Sequence, residues 1–146
     1  MACKVYPLNS LKSYKYVVVL SQYGEELMLS RHKARATYET QGGHIEVGES
    51  PLDAAKRELY EESGAVDFTI EPLFDYRSGD RISYADGQVF FARVTKLATI
   101  PSNSEMREVS FFDHLPSNLT YPDITPVLFE HARSLGVLEY KDKFIF

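Results

Sequence analysis

Gly43-His-Ile-Glu-Val-Gly-Glu49-Ser-Pro-Leu-Asp-Ala-Ala-Lys-Arg57-Glu58-Leu-Tyr-Glu61-Glu62-Ser-Gly64 is the stretch from which both fold and chemistry are read. Ser50 can cap free amides, Pro51 suits a first helical position, and Asp53 falls in a first turn where the helix dipole favours negative charge. Gly64 is a natural terminator. On such a helix Leu52, Ala55 and Leu59 form a narrow apolar stripe, with Glu58 and Glu62 on one flank and Glu61 further round. Glu58, Glu61 and Glu62 are three and four residues apart, a spacing at which like charges repel. Arg57 can answer part of that charge, four residues before Glu61 and within reach of Glu49 in the preceding loop. One arginine does not neutralise four glutamates, and a cluster of hard oxygen ligands suits Mg²⁺ or Mn²⁺. The metal is therefore expected on Glu58, Glu61 and Glu62. Taken alone, the same residues also fit a solvated acidic helix face.

Before this stretch, residues 14–21 read as a buried strand, Gln22-Tyr23-Gly24-Glu25 as a turn, and residues 26–31 as the returning strand, giving a hairpin. Residues 31–37 form a basic loop, and residues 38–47 a short extended stretch broken by Gly42-Gly43. After it, residues 67–77 and 88–96 are strands, with Gly79 and Asp86-Gly87 as turn chemistry. Residues 109–112 add a short strand. Residues 126–135 carry Val127, Leu128, His131 and Leu135 at helical spacing and end at Gly136. The aromatic tail, residues 140–146, is expected to pack on the core or on another subunit. Strands before, between and after two helices imply a mixed sheet with helices on its faces.

A length of 146 residues, 44% apolar and 25% charged, fits one globular domain over residues 1–146. Cys3 is the single cysteine, so no intramolecular disulfide forms and a cytoplasmic setting is expected. The longest apolar run, residues 16–20, is too short to span a membrane. A net charge of -5 argues against binding to a nucleic acid backbone. An acidic chain can still take phosphates through a divalent cation.

The pattern Gly, five residues, Glu, seven residues, Arg-Glu-apolar-x-Glu-Glu-x-Gly-apolar is met at every specified position of residues 43–65, and so the chain resembles the Nudix hydrolases. The resemblance implies an α/β (α+β) Nudix fold, an α/β/α sandwich whose motif is a loop-helix-loop. It implies Mg²⁺-dependent hydrolysis of a nucleoside diphosphate linked to another moiety. It adds the Gly43 carbonyl to the metal ligands Glu58, Glu61 and Glu62, and gives Gly42, Glu49 and Gly64 structural roles. The general base varies within the family. Glu61 or Glu62 on the helix and Glu105 in the later loop are the candidates, with Glu105 also a candidate ligand and Arg57 joined to the catalytic group. Where the family commonly has proline before the paired glycines this chain has Gln41, a departure expected to touch specificity more than catalysis.

Residues 105–123 resemble the corresponding region of oxidised purine nucleoside triphosphatases of the MutT type, with Tyr121 where a tryptophan precedes Pro-Asp. Tyr121 can stack on a purine and Asp123 can read its edge. An ordinary turn with Asp123 as helix cap is the plain alternative. Arg31, with Lys33 and Arg35, can reach terminal phosphates, and Tyr38 and Glu39 lie where relatives contact the nucleoside. The expected reaction is a nucleoside triphosphate, oxidised purine included, cleaved to monophosphate and pyrophosphate. Hydrolysis of ADP-ribose or a dinucleoside polyphosphate is the alternative, and a non-catalytic nucleotide-binding domain a third reading. A nucleotide is the expected partner, with no nucleic acid polymer or membrane, in a monomer or homodimer.

Overall fold

The computed structural model describes residues 2–138 and residue 140. Its elements, in order, are β1 (Ala2–Tyr6), β2 (Tyr16–Tyr23), β3 (Glu26–His32), β4 (Tyr38–Glu39), β5 (Gln41–His44), α1 (Pro51–Ser63), β6 (Ala65–Gly79), β7 (Tyr84–Leu97), β8 (Met106–Phe112) and α2 (Thr125–Ser134). The strands join one mixed sheet in the order β1-β6-β7-β2-β3-β4, with β5 added on β2 and β8 on β3. The β2–β7 pair is parallel, and the other strand pairs are antiparallel.

Alternation along the central strands decides which helix covers which face. Val17 and Val19 of β2 and Phe90, Ala92 and Val94 of β7 pack with Ala54, Ala55 and Leu59 of α1. Leu20 of β2 and Val89 and Phe91 of β7 pack instead with Leu128, Phe129 and Ala132 of α2. The helices thus lie on opposite faces, an α/β/α sandwich. A strand buried on both sides has no polar alternation, which is why β2 reads as an unbroken apolar run.

The expected β2–β3 hairpin exists only at its turn. Gln22 pairs with Leu27 and Tyr23 with Glu26, and then the two strands diverge. Residues 38–44 fill the gap. On one side Gln41, Gly42, Gly43 and His44 pair with Val19, Val18, Val17 and Tyr16 of β2; on the other, Tyr38 and Glu39 pair with Arg31 and Ser30 of β3. The paired glycines therefore lie within a strand and do not break it. A Cβ on Gly42 would strike the Val17 carbonyl, so close strand approach explains the glycine.

Other expectations are corrected. Asp86-Gly87 is not a turn but the interior of β7, where Asp86 binds Arg77 at 2.6 Å and Gly87 leaves room for the Tyr76 ring. The reversal sits at residues 80–83, where Asp80 Oδ1 accepts the Ile82 and Ser83 amides at 2.8 and 2.7 Å. In α1 the buried positions are Ala54, Ala55, Leu59 and Ser63, while Leu52 is exposed. In α2 the buried face is Thr125, Leu128, Phe129 and Ala132, a regular i, i+3, i+4, i+7 set that leaves Val127 and Leu135 outside. His131 instead stands edge-on to Phe74, ring centroids 4.6 Å apart. Tyr140 packs on the α2 side, perpendicular to Phe129; the remainder of the aromatic tail, residues 141–146, lies outside the described residues.

The segment before β2 is clasped by one buried carboxylate. Asp75 accepts from the amides of Asn9 (3.2 Å) and Leu11 (3.0 Å), the Tyr14 hydroxyl (2.6 Å) and Gln88 Nε2 (3.0 Å). Burial alone would raise its pKa, but these donors outweigh it and hold the group below its ordinary value. Burial, then Asp75, push the Tyr14 phenol up to about 12. A depressed carboxyl contributes stability above its unfolded pKa of about 3.9 and loses it as pH falls through the folded value. Asp75→Asn is expected to lower stability by about 3 kcal/mol at neutral pH. In denaturant melts at successive pH values, the gap from the parent should narrow below about pH 4.

Candidate active site

The helix ends are built as the sequence dictates. Ser50 Oγ accepts the Asp53 amide at 3.1 Å, and Gly64 closes the helix at φ 80°, donating its amide to the Tyr60 carbonyl at 2.8 Å. A side chain at Gly64 would also strike the Ala98 carbonyl. The packing of Ala54, Ala55 and Leu59 on the sheet sets the rotation of α1, and Arg57, Glu58 and Glu62 thereby meet β5 and the loop that follows it.

Arg57 organises that cluster. Its Nε and one terminal nitrogen donate to the two oxygens of Glu49 at 2.7 and 2.9 Å, a two-point grip across the loop. The second terminal nitrogen donates to Glu58 at 2.7 Å and to Glu61 at 3.4 Å, while the nitrogen that meets Glu49 also donates to the His44 carbonyl at 3.0 Å. Glu46, which sequence reasoning missed, stands 3.7 Å from the same guanidinium. Hydrogen bonds from Arg57 first, then the Glu46 amide, hold the Glu49 carboxyl down at about 2. The same partners push Arg57 well above its ordinary value.

Glu62 is placed differently. Its Oε1 accepts the Gly42 amide at 2.7 Å, and no arginine reaches it. Burial pushes its carboxyl up to about 9, and Glu58, Glu39 and Glu105 add to the rise against the Gly42 hydrogen bond. Glu58 is raised too, by burial first, with Arg57 opposing. Gly43 lies directly beneath Glu58, where an added Cβ would sit 2.8 Å from the carboxyl carbon.

As placed, no three acidic, histidine or cysteine side chains converge as a ready metal cage among the described residues; Glu58 and Glu61 are turned to Arg57. The donor chemistry nevertheless fits a hard divalent cation. Clustered carboxylates carry more negative charge than one guanidinium answers, and the glycine floor leaves a backbone carbonyl approachable. Glu58, Glu61, Glu62 and the Gly43 carbonyl are the groups that could hold one.

The remaining candidates fall into two places. Glu105, just before β8, is highly exposed, 3.8 Å from His32, and is felt electrostatically at Glu62. Arg31 does not project freely: it donates to Glu108 at 2.9 Å and to the Arg35 carbonyl at 3.0 Å. Glu39 is buried, accepting from Arg35 at 3.0 Å and from Thr120 Oγ1 at 3.0 Å. Tyr38 packs its ring edge-on to Phe112 at 5.1 Å. Through the Tyr38–Asn118 and Thr120–Tyr38 backbone bonds, both 2.9 Å, the loop carrying Tyr121 and Asp123 is hung on β4. Tyr121 is exposed beside Arg35, and Asp123 is exposed. Asp123 does not cap α2, whose first residue is preceded by Ile124 with no side-chain cap. Thr120 had no signal in the sequence, since its role depends on a contact with Glu39 made far along the chain.

A family profile described as NUDIX domain matches residues 14–134, and the chain belongs to the Nudix family. It is a pyrophosphohydrolase, with activity on nucleoside diphosphates linked to a further group. A Bacillus subtilis (strain 168) protein named "Putative 8-oxo-dGTP diphosphatase YtkD" is 32% identical over 108 residues, 74% of this chain and 68% of that protein. Among solved structures, a mutant form of the Bacillus subtilis pyrophosphohydrolase BsRppH superposes with a TM-score of 0.77 at 24% identity, covering 94% of this chain and 93% of that one. The NUDIX domain of Shewanella oneidensis NrtR, complexed with ADP ribose, gives 0.65 at 18% identity over 89% and 93%. At those identities the structural likeness is one of fold. No helix among the described residues is long and apolar enough to cross a membrane.

Gly43→Ala separates chemistry from folding. The backbone there tolerates alanine, but its methyl displaces the Glu58 carboxyl. Turnover is expected to fall at least ~10-fold while the melting temperature moves by no more than about 3 °C, read by steady-state kinetics and thermal denaturation.

Proposed function

We propose that this enzyme hydrolyses a nucleoside triphosphate to the monophosphate and pyrophosphate in a Mg²⁺-dependent reaction, with oxidised purine nucleotides as the preferred class. The observation that carries the reading is the run of residues 38–44. Its first end holds Tyr38 and Glu39 against the Tyr121 loop, and its other end donates the Gly42 amide to Glu62. One run of chain thus joins the Tyr121 loop to the carboxylate cluster. The 32% identity to a relative named for 8-oxo-dGTP supports the choice of nucleotide.

In this reading Glu58, Glu61, Glu62 and the Gly43 carbonyl hold Mg²⁺, which when bound offsets phosphate charge and acidifies water in the site. Arg57 keeps Glu49, Glu58 and Glu61 in register and touches no substrate. Water attacks one phosphorus in line as the bridging P–O bond breaks, and the displaced oxygen leaves on pyrophosphate. Glu105, exposed across from Glu62, takes the proton of the attacking water. Tyr121 stacks on the base, and Asp123 offers a hydrogen bond to its edge. With Arg31 committed to Glu108, Arg35 is the cation of that loop nearest the nucleoside end, held there by Glu39.

Glu61→Gln and Glu62→Gln are each expected to cut turnover at least ~10²-fold with the fold retained, since each removes a ligand charge and keeps side-chain size. Near-normal turnover in both would overturn the ligand assignment. A panel of nucleoside triphosphates, oxidised purine triphosphates, ADP-ribose and diadenosine polyphosphates, with and without Mg²⁺, tests the substrate. Faster cleavage of ADP-ribose or a dinucleoside polyphosphate would replace the triphosphate reading.

A further inference from the structure

Gln41 has its side chain wholly buried. It lies where β2 and β3 part. There Gln41 Nε2 reaches Ser30 Oγ at 2.9 Å and the Met28 carbonyl at 3.3 Å, and Oε1 lies 2.6 Å from Ser21 Oγ. Ser30 Oγ in turn is 2.8 Å from the backbone carbonyl of Glu62. Ser21, Ser30 and Gln41 are all inaccessible to solvent, so the protons have to be shared among these groups alone.

Ser21 Oγ also lies 3.1 Å from the Met28 carbonyl, and one arrangement gives every acceptor of the group a proton. The Glu62 carbonyl only accepts, so Ser30 donates its single proton there and can only accept from Gln41. That requires the amide nitrogen to face Ser30, which leaves its second proton for the Met28 carbonyl. Oε1 must then face Ser21, which donates to it. The bonds run one way, from β2 through β5 and β3 into α1. The next residue, Gly42, donates its backbone amide to Glu62 Oε1 at 2.7 Å. Two successive residues of β5 therefore hold residue 62 at both its carbonyl and its carboxylate.

We infer that Gln41 is a positioning residue for Glu62, fixing the last turn of α1 against the diverging strands so that the Gly42 amide meets the carboxylate. The inference rests on the role given above to Glu62 in the reaction. Its physical content is that a buried polar chain with every member satisfied holds one geometry, whereas an apolar filling of the same volume permits several.

The test uses Ser30→Ala, which removes the link to the helix, Gln41→Glu, which keeps at most one proton where the amide shares two between Ser30 and Met28, and Ser21→Ala at the far end. Ser30→Ala and Gln41→Glu are expected to lower kcat by about 10- to 100-fold with KM within about 3-fold, and Ser21→Ala to do less. Amide exchange should show Gly42 losing protection in Ser30→Ala and Gln41→Glu, while the amides of β2 and β7 keep theirs. Unchanged Gly42 protection and kcat in folded Ser30→Ala would overturn the inference, as would an equal loss of protection along all of β2, β5 and β7. Should Gln41→Glu fail to fold, Ser30→Ala carries the test. Glu62→Gln separates the two claims: full turnover there removes the catalytic reading of Glu62, whereas Gly42 exchange still reports whether Gln41 and Ser30 hold residue 62.

Discussion

The Arg57 guanidinium is the interaction on which the cluster depends. Its donors meet Glu49 from the loop and Glu58 and Glu61 from the helix, and a backbone carbonyl from the end of β5. A planar, permanently charged group with fixed donor directions can do this; an ammonium on a flexible stem cannot satisfy the same directions at once. Loop 45–50 and helix α1 are thereby set relative to each other, and the acidic residues are brought close without the repulsion that would otherwise unwind the turn that bears them. Glu62 is left out of this arrangement and is instead raised by burial, while Glu49 in the loop is held low by Arg57, so two carboxyls of one cluster have opposite electrostatic characters.

The divergence of β2 and β3 gives the second constraint. Parting two paired strands exposes backbone groups that need partners, and residues 38–44 supply most of them through β4 and β5. At the point of parting the Met28 carbonyl is met by side chains, the Gln41 amide at 3.3 Å and Ser21 Oγ at 3.1 Å. The side chains that repair the sheet there are the ones tied to α1. Sheet irregularity and site geometry are one feature seen from two sides.

What the sequence disclosed was what short-range physics decides. Ser50, Pro51 and Gly64 marked the ends of α1 because caps act over one turn, and the Arg57–Glu49 pairing followed from reach alone. Which way Leu52, Val127 and Leu135 face was not legible, since the stripe of a helix that meets the core is set by how the helix docks and not by its own residues alone. Asp86-Gly87 carried a genuine turn signal that pairing with Arg77 and Tyr76 overrode. The Gln41 chain and the Glu39–Thr120 contact join residues distant in sequence, and no local pattern encodes them. Arg31 read as a free cation because its partner, Glu108, is on a strand that pairs from the far side.

The loop bearing Tyr121 is fastened to β4 in part by main-chain hydrogen bonds between Tyr38 and residues 118 and 120. Bonds of that kind are indifferent to side-chain identity. Over evolutionary time, then, side chains that this loop presents to solvent can change while those two bonds persist, whereas a change at Arg57 loses the side-chain contacts that set the loop 45–50 on α1. The molecule separates a part free to vary from a part that is not, and a family built this way can acquire new substrates while keeping one reaction.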